Sequence, residues 1–142
     1  MNPDAANPIG SENQPLPSLD AWLREAKHET EARGCGMYLF HIGVVRESAK
    51  AAVREGAKDT APVRGMLFSY DAAKIEAAKA MALSMPGIGY VRVWLNRGEL
   101  RVGDDIMLVL VGGDIRPHVV DALQALVGEI KQQCVTETEI FS

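Results

Sequence analysis

Cysteine is scarce in this sequence: Cys35 and Cys134 stand far apart and form no CxxC pair. That spacing gives no support to a disulfide framework or a zinc ribbon, and fits two idle thiols in a reducing cytoplasm. The three histidines, His28, His41 and His118, lack partners at metal-ligand spacing, so no metal site is expected. Of these, His28 lies on a charged helical stretch and reads as solvated. His41 lies in an apolar strand and reads as a satisfied core or edge histidine. Positive charge is also short, with 15 Lys and Arg against 19 Asp and Glu for a formal net charge of −4. Such a chain has no global attraction for nucleic acid or acidic membranes, so an anionic ligand needs a local cationic patch. No apolar run approaches the ~20 residues that span a bilayer. P-loop, dinucleotide fingerprint, HExxH and GxSxG patterns are all missing, and no bound cofactor is expected.

What remains is an ordinary globular composition: 142 residues, 47% hydrophobic and 24% charged, enough for one domain with its own core. The opening stretch "MNPDAANPIGSENQPLPS" holds four of the seven prolines and has neither a basic start nor an apolar segment. It reads as a flexible polar arm over residues 1–17 and not as a signal peptide, with the domain occupying 18–142. Ser18 can cap a helix whose apolar spacing runs through Leu19, Trp22, Leu23 and Ala26. "MYLFHIGVV" and "VRGMLFSY" read as strands. Between them, "RESAKAAVREGAKDTAP" is either a loop or a marginal surface helix broken at Gly56.

Asp71 can cap the helix "AAKIEAAKAMALSM", which Pro86 and Gly87 stop. "YVRVWL" alternates, and "IMLVLV" is a continuous apolar strand. A last helix over roughly 117–131 stacks Val119, Leu123, Leu126 and Ile130 along one stripe, with Pro117 in its first turn. "CVTETEIF" alternates like an edge strand. Strands therefore come in adjacent pairs, which predicts an α+β domain with mainly antiparallel sheet.

The candidate chemistry is cationic. Arg116 and His118 open the last helix, where unpaired backbone N–H groups favour anions. Arg46 ends a strand and Lys131 closes the last helix. Each has a plainer reading: Arg46 as a surface charge, Lys131 as a complement to the helix C-terminal dipole. A pocket joining them would suit a phosphorylated or carboxylate-ended ligand, which guanidinium groups hold in bidentate fashion.

Three stretches, "GCGMYLFHIGVVR", "VWLNRGELRVGDDIMLVLV" and "GGDIRPHVVDALQALVGEIK", resemble the catalytic (large) subunit of molybdopterin synthase, over roughly residues 34 to 131. The resemblance implies a hammerhead-type α/β fold and a homodimer. It also implies a small ubiquitin-like sulfur-carrier subunit as partner, completing a heterotetramer. The implied reaction moves sulfur from thiocarboxylated carrier tails onto cyclic pyranopterin monophosphate, giving molybdopterin. Arg46 then matches a substrate-pocket arginine, Arg116 the arginine of a His-Arg pair, and Lys131 the first of two active-site lysines, the catalytic candidate. Gly98, Glu99, Leu100, Gly103 and Asp104 match a loop that shapes the fold.

The sequence departs from that pattern at several places. Ile115 stands where the family has the histidine before the arginine, and Thr138 falls at the second lysine. Leu95 and Asn96 replace a further His-Arg pair. The segment after Arg46 is longer and carries Lys50, Arg54, Lys58 and Arg64. Loss of one general acid–base group costs about 10²–10⁴-fold in rate. Three readings follow: a working synthase in which a lysine of the inserted segment replaces the missing one; a non-catalytic paralogue that binds a pterin phosphate or a carrier tail; and an unrelated α+β domain. A cation of the insertion folded over Arg116 would favour the first. Pairing of "VTETEIF" into the tail-binding groove would favour the second.

Overall fold

The computed structural model describes residues 13–56 and 61–142. Helix α1 (Leu19–His28) is capped by Ser18, whose hydroxyl accepts the Ala21 N–H. Strand β1 (Met37–Val44), the short helix α2 (Lys50–Arg54) and strand β2 (Val63–Tyr70) follow. Next come helix α3 (Ala72–Leu83), strands β3 (Ile88–Leu95), β4 (Gly98–Arg101) and β5 (Asp105–Gly113), helix α4 (Arg116–Glu129) and strand β6 (Val135–Phe141). The strands form two three-stranded sheets, ordered β1-β5-β3 and β4-β2-β6, and every pairing is antiparallel. The expected α+β class is what the chain adopts.

Strand β5 explains its own continuous apolar run. It lies in the middle of the first sheet and is covered on both faces. Leu108 and Leu110 pack with Trp22 and Ala26 of α1, while Met107, Val109 and Val111 join the main core with α3 and α4. A strand buried on both sides has no reason to alternate. β3 does alternate, and both of its sets are used. Val91, Val93 and Leu95 line the main core, whereas Tyr90 and Trp94 join the α1 cluster. Arg92, between the latter two, lies 4.4 Å over the Trp22 ring and pairs with Glu25.

Helix α3 starts at Asp71, whose carboxylate accepts the Lys74 N–H, and buries Ile75, Ala78 and Ala82. Helix α4 carries Pro117 in its first turn and buries Val119, Ala122 and Leu126. Its regular part is shorter than the sequence predicts: from Ile130 to Cys134 the backbone widens into a π turn, with Ile130 and Cys134 still buried. Gly98 and Gly103 adopt φ of +95° and +93° at the β4 turns, a region glycine enters without a Cβ penalty.

Residues 13–17, assigned from sequence to a flexible arm, are held against the domain. Asn96 is 1% exposed, and its amide must be satisfied inside the protein. Its Oδ1 accepts the Gln14 N–H at 2.8 Å, and its Nδ2 donates to Asn13 Oδ1 (3.0 Å), the Gln14 carbonyl (3.1 Å) and the Asp105 carbonyl (2.8 Å). Leu16 completes the attachment against the α1 cluster. The rest of the arm, and Lys58, lie outside the described residues.

Candidate functional site

The segment following Arg46 forms the marginal helix α2. None of its five residues is buried, although Ala49 at its N-cap is 2% exposed. This helix lies over the C-terminal end of β1 and the core-facing side of β6. There it encloses a small polar pocket bounded by Arg46, Lys50, Arg54, Lys131, Glu137 and Glu139, with Met66 and Ile106 among its apolar walls. Four cations therefore face two carboxylates. Arg46 is oriented by donation from its Nε to the Ser48 carbonyl at 3.0 Å. Lys50 Nζ lies 3.3 Å from Glu137 Oε1, and the Lys50 backbone N–H donates to Glu139 Oε2 at 3.1 Å.

The two glutamates are on the less obvious side of their strand. The pairing with β2 sets Glu137 opposite Phe68 and Glu139 opposite Met66, both buried, and sets Thr138 opposite exposed Leu67. A strand edge rich in Thr and Glu thus turns its carboxylates inward and its hydroxyls outward. Thr138, the position matched to the second lysine, faces away from the pocket. The Glu137 side chain is only 6% exposed, against 34% for Lys50.

His41 stands on the core-facing side of β1, opposite Val109. Its Nε2 is buried and has no hydrogen-bond partner among the described residues. The expectation of a satisfied histidine is corrected here: the residue is half-buried, and its buried nitrogen finds no partner among the described residues. Burial, and then the positive charge of Lys131, push its pKa below the usual imidazole value. The ring is accordingly neutral at neutral pH, beside the ammonium of Lys131. The two-residue repeat of a strand sets His41 on the same side as Met37 and Leu39, but no signal in the sequence reveals the orphaned nitrogen.

Arg116 and His118 are elsewhere. Both lie at the start of α4, and Lys131 lies just past its end, about 20 Å away at the rise of a helix. Arg116 is exposed. His118 Nδ1 sits 2.7 Å from Asp114 Oδ1, which also accepts the Ile115 N–H at 2.6 Å. The hydrogen bond from His118 is the main reason the Asp114 carboxyl is held below the usual carboxylate range. This helix start already has an anion of its own. Within one chain, then, the structure joins Arg46 to Lys131, adds Lys50 and Arg54, and leaves Arg116 and His118 apart. No cation of the insertion that the structure describes is folded over Arg116; Lys50 and Arg54 line the Lys131 pocket instead.

The positions that depart from the resemblance have other work. Leu95 is core and Asn96 ties down residues 13 and 14, while Ile115 is 54% exposed. Among the described residues, no cluster of His, Cys, Asp and Glu could hold a metal, and no helix is long and apolar enough to cross a membrane.

A family model described as MoaE protein matches residues 18–133. Solved structures with a similar fold include molybdopterin synthase from Staphylococcus aureus, with a TM-score of 0.68 at 17% identity over 90% of this chain and 88% of that one. The molybdopterin biosynthesis MoaE protein from Burkholderia ambifaria MC40-6 follows at 0.66 and 16% identity, covering 92% of this chain and 83% of that one. A complex of subunits 1 and 2 of molybdopterin-converting factor from Helicobacter pylori 26695 gives 0.61 and 16% identity, over 90% and 82% of the two chains. At these identities the likeness is one of fold. No curated protein matches the sequence at a significant level.

Proposed function

The chain belongs to the MoaE protein family, and from that premise we propose that it acts in molybdenum cofactor biosynthesis as the large subunit of a molybdopterin synthase. Its substrates would be cyclic pyranopterin monophosphate and the thiocarboxylated tail of a small ubiquitin-like sulfur carrier. The product would be molybdopterin, and the assembly a homodimer joined by two carriers. The observation that carries this reading is the convergence of Arg46, Lys50, Arg54 and Lys131 on one pocket. The guanidinium groups supply bidentate anion recognition. An amine beside an acyl centre can move a proton or capture the acyl group transiently. Lys131 is the catalytic residue in this reading. Lys50, from the inserted segment, brings a second amine to the same pocket, where Thr138 brings none.

A second reading, a non-catalytic paralogue that binds a pterin phosphate or a carrier tail, has its own observation in favour. Two carboxylates already occupy the cationic pocket, and its volume is only about 40 Å³. That is room for about one water and not for a pterin. A single-turnover reconstitution separates the two. The protein is mixed with thiocarboxylated carrier and cyclic pyranopterin monophosphate, and oxidised molybdopterin is read by its fluorescence. Product that disappears in Lys131→Ala supports the synthase. Binding of both ligands without product supports the paralogue.

A further inference from the structure

The pocket is built for an anion and holds one that belongs to the protein. We propose that Glu137 is an internal counter-anion that latches helix α2 over the pocket, and that an entering phosphate or carboxylate displaces it from Lys50. The proposal rests on the cationic pocket of the proposed function, and not on sulfur transfer. Three observations carry it. Glu137 and Glu139 project from the core-facing side of β6, opposite buried Phe68 and Met66, where an apolar side chain would be the ordinary choice. Helix α2 buries none of its own residues, and two polar links to β6 fasten it: the Lys50–Glu137 ion pair at 3.3 Å and the Lys50 N–H to Glu139 at 3.1 Å. The cations Arg46, Lys50, Arg54 and Lys131 outnumber the two carboxylates, so the pocket keeps a positive excess while it is closed.

These features describe a latch. A carboxylate 6% exposed is retained because a lysine and neighbouring cations compensate it. A ligand oxyanion offers the same cations an equivalent partner. Its entry would free Glu137 and Glu139 together, release the N-terminus of α2, and enlarge a cavity of about 40 Å³. The cost of that exchange falls on affinity, so the native pocket selects for ligands that bring binding energy from outside it.

The test is calorimetric titration of the full chain and of its isosteric Glu137→Gln variant. The probes are inorganic phosphate and, separately, triglycine with its free terminal carboxylate. We expect the variant to bind at least one probe about tenfold or more tightly, because the competing charge is gone while the cations remain. Tightening for phosphate alone assigns the pocket to the phosphate, and for triglycine alone to a chain terminus. Unchanged or weaker binding of both overturns the latch. Amide hydrogen exchange of the wild type gives a second readout that needs no variant. Saturating the tighter probe should speed exchange at residues 50–54, and unchanged exchange counts against the proposal. Tighter anion binding with no molybdopterin formed would remove the synthase reading and leave the latch standing.

Discussion

His41 ties a local defect to a measurable pH dependence. The residue is half-buried, its buried Nε2 has no partner among the described residues, and burial followed by Lys131 lowers its pKa below the ordinary 6.5. The folded state therefore binds fewer protons than the unfolded chain just below that pH. The stability contributed by the neutral ring is complete above the unfolded value and is lost as pH falls through it toward the folded one. His41→Leu removes both the proton and the orphaned nitrogen at similar volume. We expect wild-type Tm to drop further than that of the variant between about pH 7.5 and about pH 5. Parallel drops would show that His41 does not drive the loss. Lys50 gives the complementary case. Lys50→Met removes the ion-pair partner 3.3 Å from the nearly buried Glu137 and leaves it only the more loosely placed cations of the pocket, and we expect a loss of about 1–3 kcal/mol by urea unfolding, discounted for the exposure of Lys50. The double variant with Glu137→Gln should recover most of it.

At the level of the elements, the attachment of residues 13–17 depends on Asn96. Asn96→Ala leaves the Gln14 N–H and the Asp105 carbonyl without this partner and opens a small void. Loss of buried hydrogen bonds of this kind costs about 2–4 kcal/mol, and proteolysis should then cut near residues 13–17 first. A nicking pattern identical to that of wild type would reject the strap. This contact also marks where sequence reading stopped. β5 and α4 were legible because an unbroken apolar run and a helical stripe each record burial directly. Asn96 recorded nothing, since three of its hydrogen bonds are made with residues 13 and 14, more than eighty residues away. β6 was legible as a strand but not by face. Thr and Glu alternate there, both sets are polar, and only the register with β2 decides which side turns inward. The cations were legible one by one. Their grouping was not, because Lys50 reaches Glu137 through the tertiary fold alone.

The whole molecule raises the question of where Arg116 and His118 belong. They lie about 20 Å from Lys131, at the far end of α4 from the π turn that carries the lysine. No rearrangement short of breaking α4 brings the two ends together within one chain. In a homodimer the geometry is different, because one protomer can present the start of its α4 to the partner's pocket. This makes a quantitative prediction for the proposed synthase. Arg116→Ala and Lys131→Ala are each expected to abolish most product formation when assayed alone. After mixed refolding at equal amounts, random pairing makes half of the dimers hybrids, and each hybrid holds one site with both residues intact. Product should return to about a quarter of the wild-type level. A site completed within each protomer gives no recovery, since every site in the hybrid then carries one substitution. Full activity of Arg116→Ala alone would instead place Arg116 outside the chemistry, with Asp114 and His118 as the helix-start pair it stands beside.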